Sequence, residues 1–163
     1  MNKPGALAFL WIFVFFLLQN SLQFMFAGQS PPLLLIGVLF YGLSEGPLFG
    51  LIIGLVAGFF VDIFGVGKLG MPIILFGSLG VLSGYAKSKI FHDGLLTRIL
   101  FPTVGTYLFS CSNFVITRFF FEEESSPPGV FLEAVSIPAL ILTAVISPFI
   151  FSFLHRFTYG KRP

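Results

Sequence analysis

The chain has 163 residues, of which 56% are hydrophobic and only 10% are charged. Soluble domains carry about 25% charged residues, and disordered chains are poor in apolar residues, so the composition excludes both classes. The small net charge of +2 comes without a basic patch interleaved with aromatic residues, which gives no indication of a nucleic-acid partner.

The charged residues leave long apolar stretches, which predict membrane-spanning helices of about 20 residues each. Lys3 and the apolar run after it are similar to a signal peptide, but the run continues to Ala27 without a good cleavage site, which favours a retained first span. The predicted spans cover residues 6–27, 32–44, 47–64, 70–86, 99–117 and 135–154. The sequence therefore predicts an all-α, polytopic bundle of six transmembrane helices in a single integral membrane domain, residues 1–163.

The second predicted span is short. It follows a turn at residues 28–32 and, at 1.5 Å per residue, covers about 20 Å of a hydrocarbon core that is roughly 30 Å thick. Such a segment either thins the bilayer locally or is re-entrant. The third span then begins at Pro47, shortly after Glu45, whose carboxylate is favourable near the start of a helix.

Basic residues in the short loops predict the orientation of the chain. Lys87, Lys89 and Arg98 lie between spans four and five, and a second basic group follows span six. Between these two groups lies the acidic segment 122–124, which is expected outside the cell. With six spans, both termini are then predicted to be cytoplasmic.

Small residues recur every four positions before and within the third span. These positions are Gly42, Gly46, Gly50, Gly54 and Gly58, with Asp62 as the next step. The fourth span carries Gly70, Gly77, Gly80 and Gly84. Glycines allow close backbone contact between membrane helices. They either pack the spans of this chain together or receive the transmembrane helix of a partner, so the residues predicted to be structural or partner-binding are Gly50, Gly54, Gly58, Asp62, Gly70 and Gly84.

Asp62 is the acidic residue embedded in an apolar run, in the last turn of the third predicted helix. Burial in the membrane and the helix dipole both disfavour a carboxylate at this position. The position therefore predicts a compensating partner, with Lys68, Arg118 or a group on another protein as candidates. The alternative is a solvated carboxylate at the end of the span.

The sequence contains no pattern that indicates catalysis or metal binding. Residues 65–70 match G-x-G-x-x-G, but they lie in a turn between two predicted membrane helices and not in a strand-turn-helix unit. With a single cysteine, Cys111, and with His92 and His155 outside the predicted spans, neither a metal, a cofactor nor a catalytic pair is expected. Polar residues near Gln19 could line a transport site, although interhelical hydrogen bonds are the favoured explanation.

The chain resembles the rod shape-determining protein MreD family. The resemblance covers about a third of the chain as motif, while length, short loops and span layout agree over the rest. The segments that carry it are Pro32-Leu33-Leu34-Leu35 through Tyr41, the glycines from Gly50 to Gly58 followed by Phe59-Phe60-Val61-Asp62, then Leu69-Gly70 and Gly84-Tyr85. The Phe-rich helices and the Glu-rich loop depart from the family pattern.

This resemblance implies a non-catalytic component of the bacterial elongation complex in the cytoplasmic (inner) membrane. Such a component binds the single-span protein MreC and, through it, works with MreB, RodA and a class-B penicillin-binding transpeptidase in lateral peptidoglycan synthesis. Gly54, Gly58 and Asp62 become candidates for its structural or partner-binding element. Because the family is considered similar in fold to the substrate-binding subunits of energy-coupling-factor vitamin transporters, the alternative function is such a transporter subunit.

Overall fold

The computed structural model describes residues 4–25, 32–64, 70–90, 95–121 and 137–159, which form six α-helices. These are α1 (Pro4–Met25), α2 (Leu33–Glu45), α3 (Pro47–Phe64), α4 (Met71–Ile90), α5 (Leu95–Phe121) and α6 (Ile137–Tyr159). No strand occurs within these five ranges. The all-α prediction is therefore confirmed for the part of the chain that the structure describes.

Three described segments are long and apolar enough to cross a membrane, namely Pro47–Phe64, Arg98–Ile116 and Leu140–Thr158. The other three helices contain shorter apolar segments, Leu7–Leu22, Leu33–Glu45 and Met71–Lys87. Membrane-spanning character is thus confirmed, whereas a total of six spans stays a prediction.

Several helices extend beyond the predicted spans. Helix α4 continues past Lys87, α5 already includes Arg98, and α6 includes Arg156. The charge-free windows of the sequence end too early because a long basic side chain can remain on a membrane helix and extend its charge to the interface. Glu45 is the last residue of α2, where it precedes the break at Gly46.

Helix α2 lies at the centre of the bundle. Its residues from Leu33 to Leu43 are all buried, as expected for a helix that is hydrophobic on every side. Gly37 faces Phe15 of α1, and Phe40 packs edge-on against Phe151 of α6 with 5.2 Å between ring centroids. Because protein encloses α2, its length of 13 residues does not have to match a lipid-facing thickness.

Successive helices run in opposite directions. Gln19 of α1 bonds to Leu34 of α2, near the end of one helix and the start of the next. Gly84 near the end of α4 packs on Pro47, the first residue of α3. Arg98 of α5 bonds to Ser152 of α6, and Thr106 lies beside Thr143, so this pair is antiparallel as well. The bundle therefore has an up-and-down arrangement.

One end of the bundle gathers basic side chains. Lys87 of α4 donates to the Ser44 carbonyl at the end of α2. Arg98 of α5 donates from Nη1 to Ser152 Oγ of α6 at 3.2 Å. We refer to this end, marked by Lys87, Arg98 and Arg156, as the basic end. The hydroxyls of Tyr41 and Thr158, 3.4 Å apart, join α2 to α6 there.

Candidate functional site

The three glycines of α3 face the backbone of α4. A methyl group on Gly50 would overlap the carbonyl oxygen of Gly80. A methyl on Gly54 would overlap the Phe76 carbonyl group, and one on Gly58 would overlap backbone atoms of Ile73. Because the obstructing atoms belong to the backbone, no side chain fits between the helices at these three points.

The contacts repeat along the whole antiparallel α3–α4 pair. Beyond Gly50, the series continues toward the basic end, where a methyl on Gly84 would overlap the backbone of Pro47. Each step moves three or four residues forward on α3 and three or four back on α4, which is the spacing of one helix face. We call this series of contacts the glycine zip; it pairs Pro47 with Gly84, Gly50 with Gly80, Gly54 with Phe76 and Gly58 with Ile73.

A third helix joins the zip at one point. A methyl on Gly42 of α2 would lie 2.8 Å from the Gly80 carbonyl oxygen, and one on Gly50 would lie 2.9 Å from the Cα of Gly42. Ser83 Oγ, fully buried beside Gly42, donates to the same Gly80 carbonyl at 2.7 Å. Gly42, Gly50 and Gly80 therefore bring the backbones of α2, α3 and α4 together in what we call the glycine junction.

Gly46 makes this junction possible because it ends α2 and allows the chain to reverse into α3. Its φ of +111° lies in a region that L side chains rarely adopt. Its N–H donates to the Gly42 carbonyl at 2.9 Å, and its own carbonyl accepts from the N–H of Gly50 at 2.9 Å. The four-residue ladder seen in the sequence is thus divided between two helices, with Gly42 and Gly50 on opposite sides of the break.

Asp62 lies four residues beyond Gly58, just past the end of the glycine zip that is farther from the basic end. Its Oδ2 accepts a hydrogen bond of 3.1 Å from the backbone N–H of Gly70, immediately before α4 begins. The carboxylate is half-buried and lies at the positive end of α4, which offsets its unfavourable place at the end of α3. Of the partners suggested by the sequence, Lys68 and the side chain of Arg118 lie outside the described residues.

Gly70 differs in role from the packing glycines. No atom lies within 4 Å of the position that its Cβ would occupy, and its φ is +88°. The glycine therefore serves the backbone conformation just before α4, while its N–H bonds to Asp62. Gly77 also differs, since a Cβ there would face only flexible side chains, Leu55 at 3.2 Å and Leu51 at 3.6 Å.

The sequence did not predict how the glycine junction is built. Gly42 and Gly80 lie in the glycine series, but their joint contact with Gly50 has no local signal because it unites three helices. Ser83 is part of no recognisable sequence motif. Near Gln19, the polar groups make ordinary bonds: Gln19 Oε1 accepts from the N–H of Leu34, and Asn20 Nδ2 donates to the Phe16 carbonyl, both at 3.0 Å.

The glycine zip is held by van der Waals contact between glycines and backbone groups. Asp62, next to the zip, is the one carboxylate in the contacts described above. Within the described ranges, no group of three His, Cys, Asp or Glu side chains could hold a metal ion. The arrangement fixes two helices against each other, and Asp62 joins the end of α3 to the backbone just before α4.

Comparison with protein families decides the identity of this bundle. The family model of the rod shape-determining protein MreD matches residues 4–157. The chain belongs to the MreD family. Membership assigns this MreD-family chain a role in rod shape determination, as a structural component and not as a member of a known enzyme family.

No curated protein and no solved structure matches the chain. The similarity in fold to energy-coupling-factor transporter subunits therefore stays a prediction, and the vitamin-transporter alternative gains no support.

Proposed function

We propose that this MreD-family chain is a non-catalytic component of the bacterial elongation complex, which binds MreC and supports lateral peptidoglycan synthesis. The observation that carries the proposal is the family match, which extends over residues 4–157 and so includes nearly all of the described helices. MreB, RodA and a class-B penicillin-binding transpeptidase are proposed as partners reached through MreC.

The packing supports different roles for different faces of the bundle, one for internal packing and another for the partner. The α3 face that carries Gly50, Gly54 and Gly58 lies against α4 of the same chain. We therefore assign these three glycines and Gly84 a structural role, with Asp62 and Gly70 joining the end of α3 to the start of α4. On this proposal, the transmembrane helix of MreC contacts another face, because the glycine zip leaves no room for it.

The basic end supports the proposed orientation. Lys87, Arg98 and Arg156 lie on one end of the bundle, and basic residues favour the cytoplasmic side of an inner membrane. With six spans, our proposal is that both termini lie in the cytoplasm.

Depletion of the protein in its own host tests the shape function. We expect rod-shaped cells to become round, and the tagged protein to recover MreC from mild detergent. Gly54→Leu should fail to restore rods because it separates α3 from α4, whereas Phe59→Leu, on an exposed position of α3, should restore them. Rods that persist after depletion, or a stoichiometric small molecule found by native mass spectrometry, would contradict the proposal.

Cysteine labelling tests the orientation separately. On a Cys111→Ser background, Ser125→Cys should react with an impermeant reagent in intact cells, and Gly160→Cys only after permeabilisation. External labelling at position 160 would overturn the proposed topology without affecting the proposed partner.

A further inference from the structure

Two arginines and a serine form a polar site on the outer surface of the α5–α6 pair. Arg98 is half-buried, and its Nη1 donates to Oγ of the exposed Ser152 at 3.2 Å. Arg156 is exposed and follows Ser152 by four residues on α6. Residues spaced in this way lie on one helix face, about 6 Å apart, so the hydrogen bond brings the guanidinium of Arg98 to the face that carries Arg156.

The charges of this site are not balanced within the described part of the chain. No ion pair joins Arg98 or Arg156 to a carboxylate there, and two cations about one helical turn apart repel each other. Lys87, at the same end, differs because its ammonium already donates to the Ser44 carbonyl. An anion placed between the two guanidinium groups would relieve the repulsion.

The surface next to the site is apolar in one direction only. Val145 and Phe149 precede Ser152 on the same face of α6 and are 60% and 74% exposed. The stripe therefore runs from an apolar surface on the body of the helix to Ser152 and Arg156 at the basic end. A soluble anion would use only the polar part of this stripe, whereas a phospholipid would use both parts.

We propose that Arg98, Ser152 and Arg156 bind the phosphate of an anionic phospholipid, with an acyl chain along Val145 and Phe149. Arginine suits this role because its planar guanidinium can give two parallel hydrogen bonds to phosphate oxygens. Basic pockets between membrane helices recognise anionic headgroups by the same chemistry. The site does not depend on the proposed contact with MreC.

Native mass spectrometry of the full-length protein in detergent tests the site, with phosphatidylglycerol as the probe and zwitterionic phosphatidylethanolamine as the reference lipid. Arg98→Gln and Arg156→Gln should each weaken phosphatidylglycerol binding about fivefold, the contribution expected of one basic side chain at an anionic surface. Phosphatidylethanolamine has the same phosphate but no net charge, so its binding should change much less, and retained binding also shows that the variants are folded. Added salt should weaken the binding of phosphatidylglycerol.

Lys87→Gln is the matched control because it removes one positive charge from the same end outside the site. We expect less than about a twofold change from it. An equal loss in Lys87→Gln and Arg156→Gln would show a diffuse charge effect and overturn the site. Competition by sn-glycerol 3-phosphate as strong as that by phosphatidylglycerol would overturn the lipid assignment, and an unchanged affinity in both arginine variants would overturn the whole inference.

Discussion

The α3–α4 pair and the α5–α6 pair are both antiparallel, but they are held together in different ways. In the first pair, glycines bring backbone against backbone from Pro47 and Gly84 through Gly58 and Ile73. In the second pair, side chains lie between the helices. Thr106 Oγ1 lies 3.4 Å from Thr143 Oγ1, a long hydrogen bond between two buried hydroxyls.

Proline separates the two pairs further. Helices α5 and α6 each contain an internal proline, Pro102 and Pro148, and each proline removes one backbone hydrogen bond from its helix. Thr106 Oγ1 donates to the Pro102 carbonyl at 2.9 Å, within α5 itself. Ser147 Oγ is fully buried and makes no hydrogen bond to any described residue.

This comparison shows two ways of joining helices where lipid offers no hydrophobic driving force between them. Close backbone packing gathers many van der Waals contacts but tolerates no added atom. Hydroxyl contacts tolerate substitution, because an interhelical hydrogen bond in a membrane contributes about 0.6 kcal/mol on average. We therefore expect the first pair to be the rigid part of the bundle and the second pair to be the more permissive part.

The largest expected loss of stability comes from adding a single methyl group to the glycine zip. Gly54→Ala should lower the free energy of unfolding by about 3 kcal/mol, the upper range for overpacking, because its Cβ meets the Phe76 backbone. Gly77→Ala is the control on the same interface, where Leu55 can move and alanine favours the helix. Thermal unfolding in detergent compares the two variants, and equal destabilisation would contradict the assignment of backbone contact as the cause.

A smaller loss of stability is expected from substitutions at Asp62 and Gly70, next to the glycine zip. Asp62→Ala should cost about 1–2 kcal/mol because it leaves the Gly70 N–H without its acceptor. Asp62→Asn should cost less, since its amide oxygen can still accept. Gly70→Ala should cost about 1–2 kcal/mol by strain alone, given its φ of +88°.

Thermal unfolding and recovery of MreC separate the possible roles of Asp62. A loss of MreC in Asp62→Asn at normal abundance and melting temperature would mean that the charge serves a partner. If Asp62→Ala leaves stability, abundance and cell shape unchanged, Asp62 is only a solvated carboxylate at a helix end.

The smallest expected effects come from two fully buried serines, one in each helix pair, and only one of the two substitutions should destabilise the protein. Ser83→Ala should destabilise by about 1 kcal/mol, because Ser83 Oγ donates to Gly80 at the glycine junction. Ser147→Ala should be neutral or stabilising by up to about 1 kcal/mol, because it removes a buried hydroxyl without a partner among the described residues. Melting temperatures that fall equally in both variants would remove this distinction between the two pairs.

The sequence by itself determined the class of this protein and the position of its helices. Few charges and long apolar windows predicted a helical membrane protein, because an apolar helix satisfies its backbone hydrogen bonds internally and needs no distant residue to do so. The four-residue spacing of Gly50, Gly54 and Gly58 was visible for the same reason, since residues on one helix face are set by local geometry. The motifs also sufficed to indicate the MreD family.

Only the tertiary structure decided what these features contact. No local sequence pattern indicates that Gly50 contacts both Gly42 and Gly80, or that α2 lies inside the bundle. The hydrogen bond from the Gly70 N–H to Asp62 likewise depends on how the end of α3 meets the start of α4. Contacts between helices cannot be predicted from the sequence of either helix alone. They depend on how whole helix surfaces fit together and not on the spacing of residues along one helix.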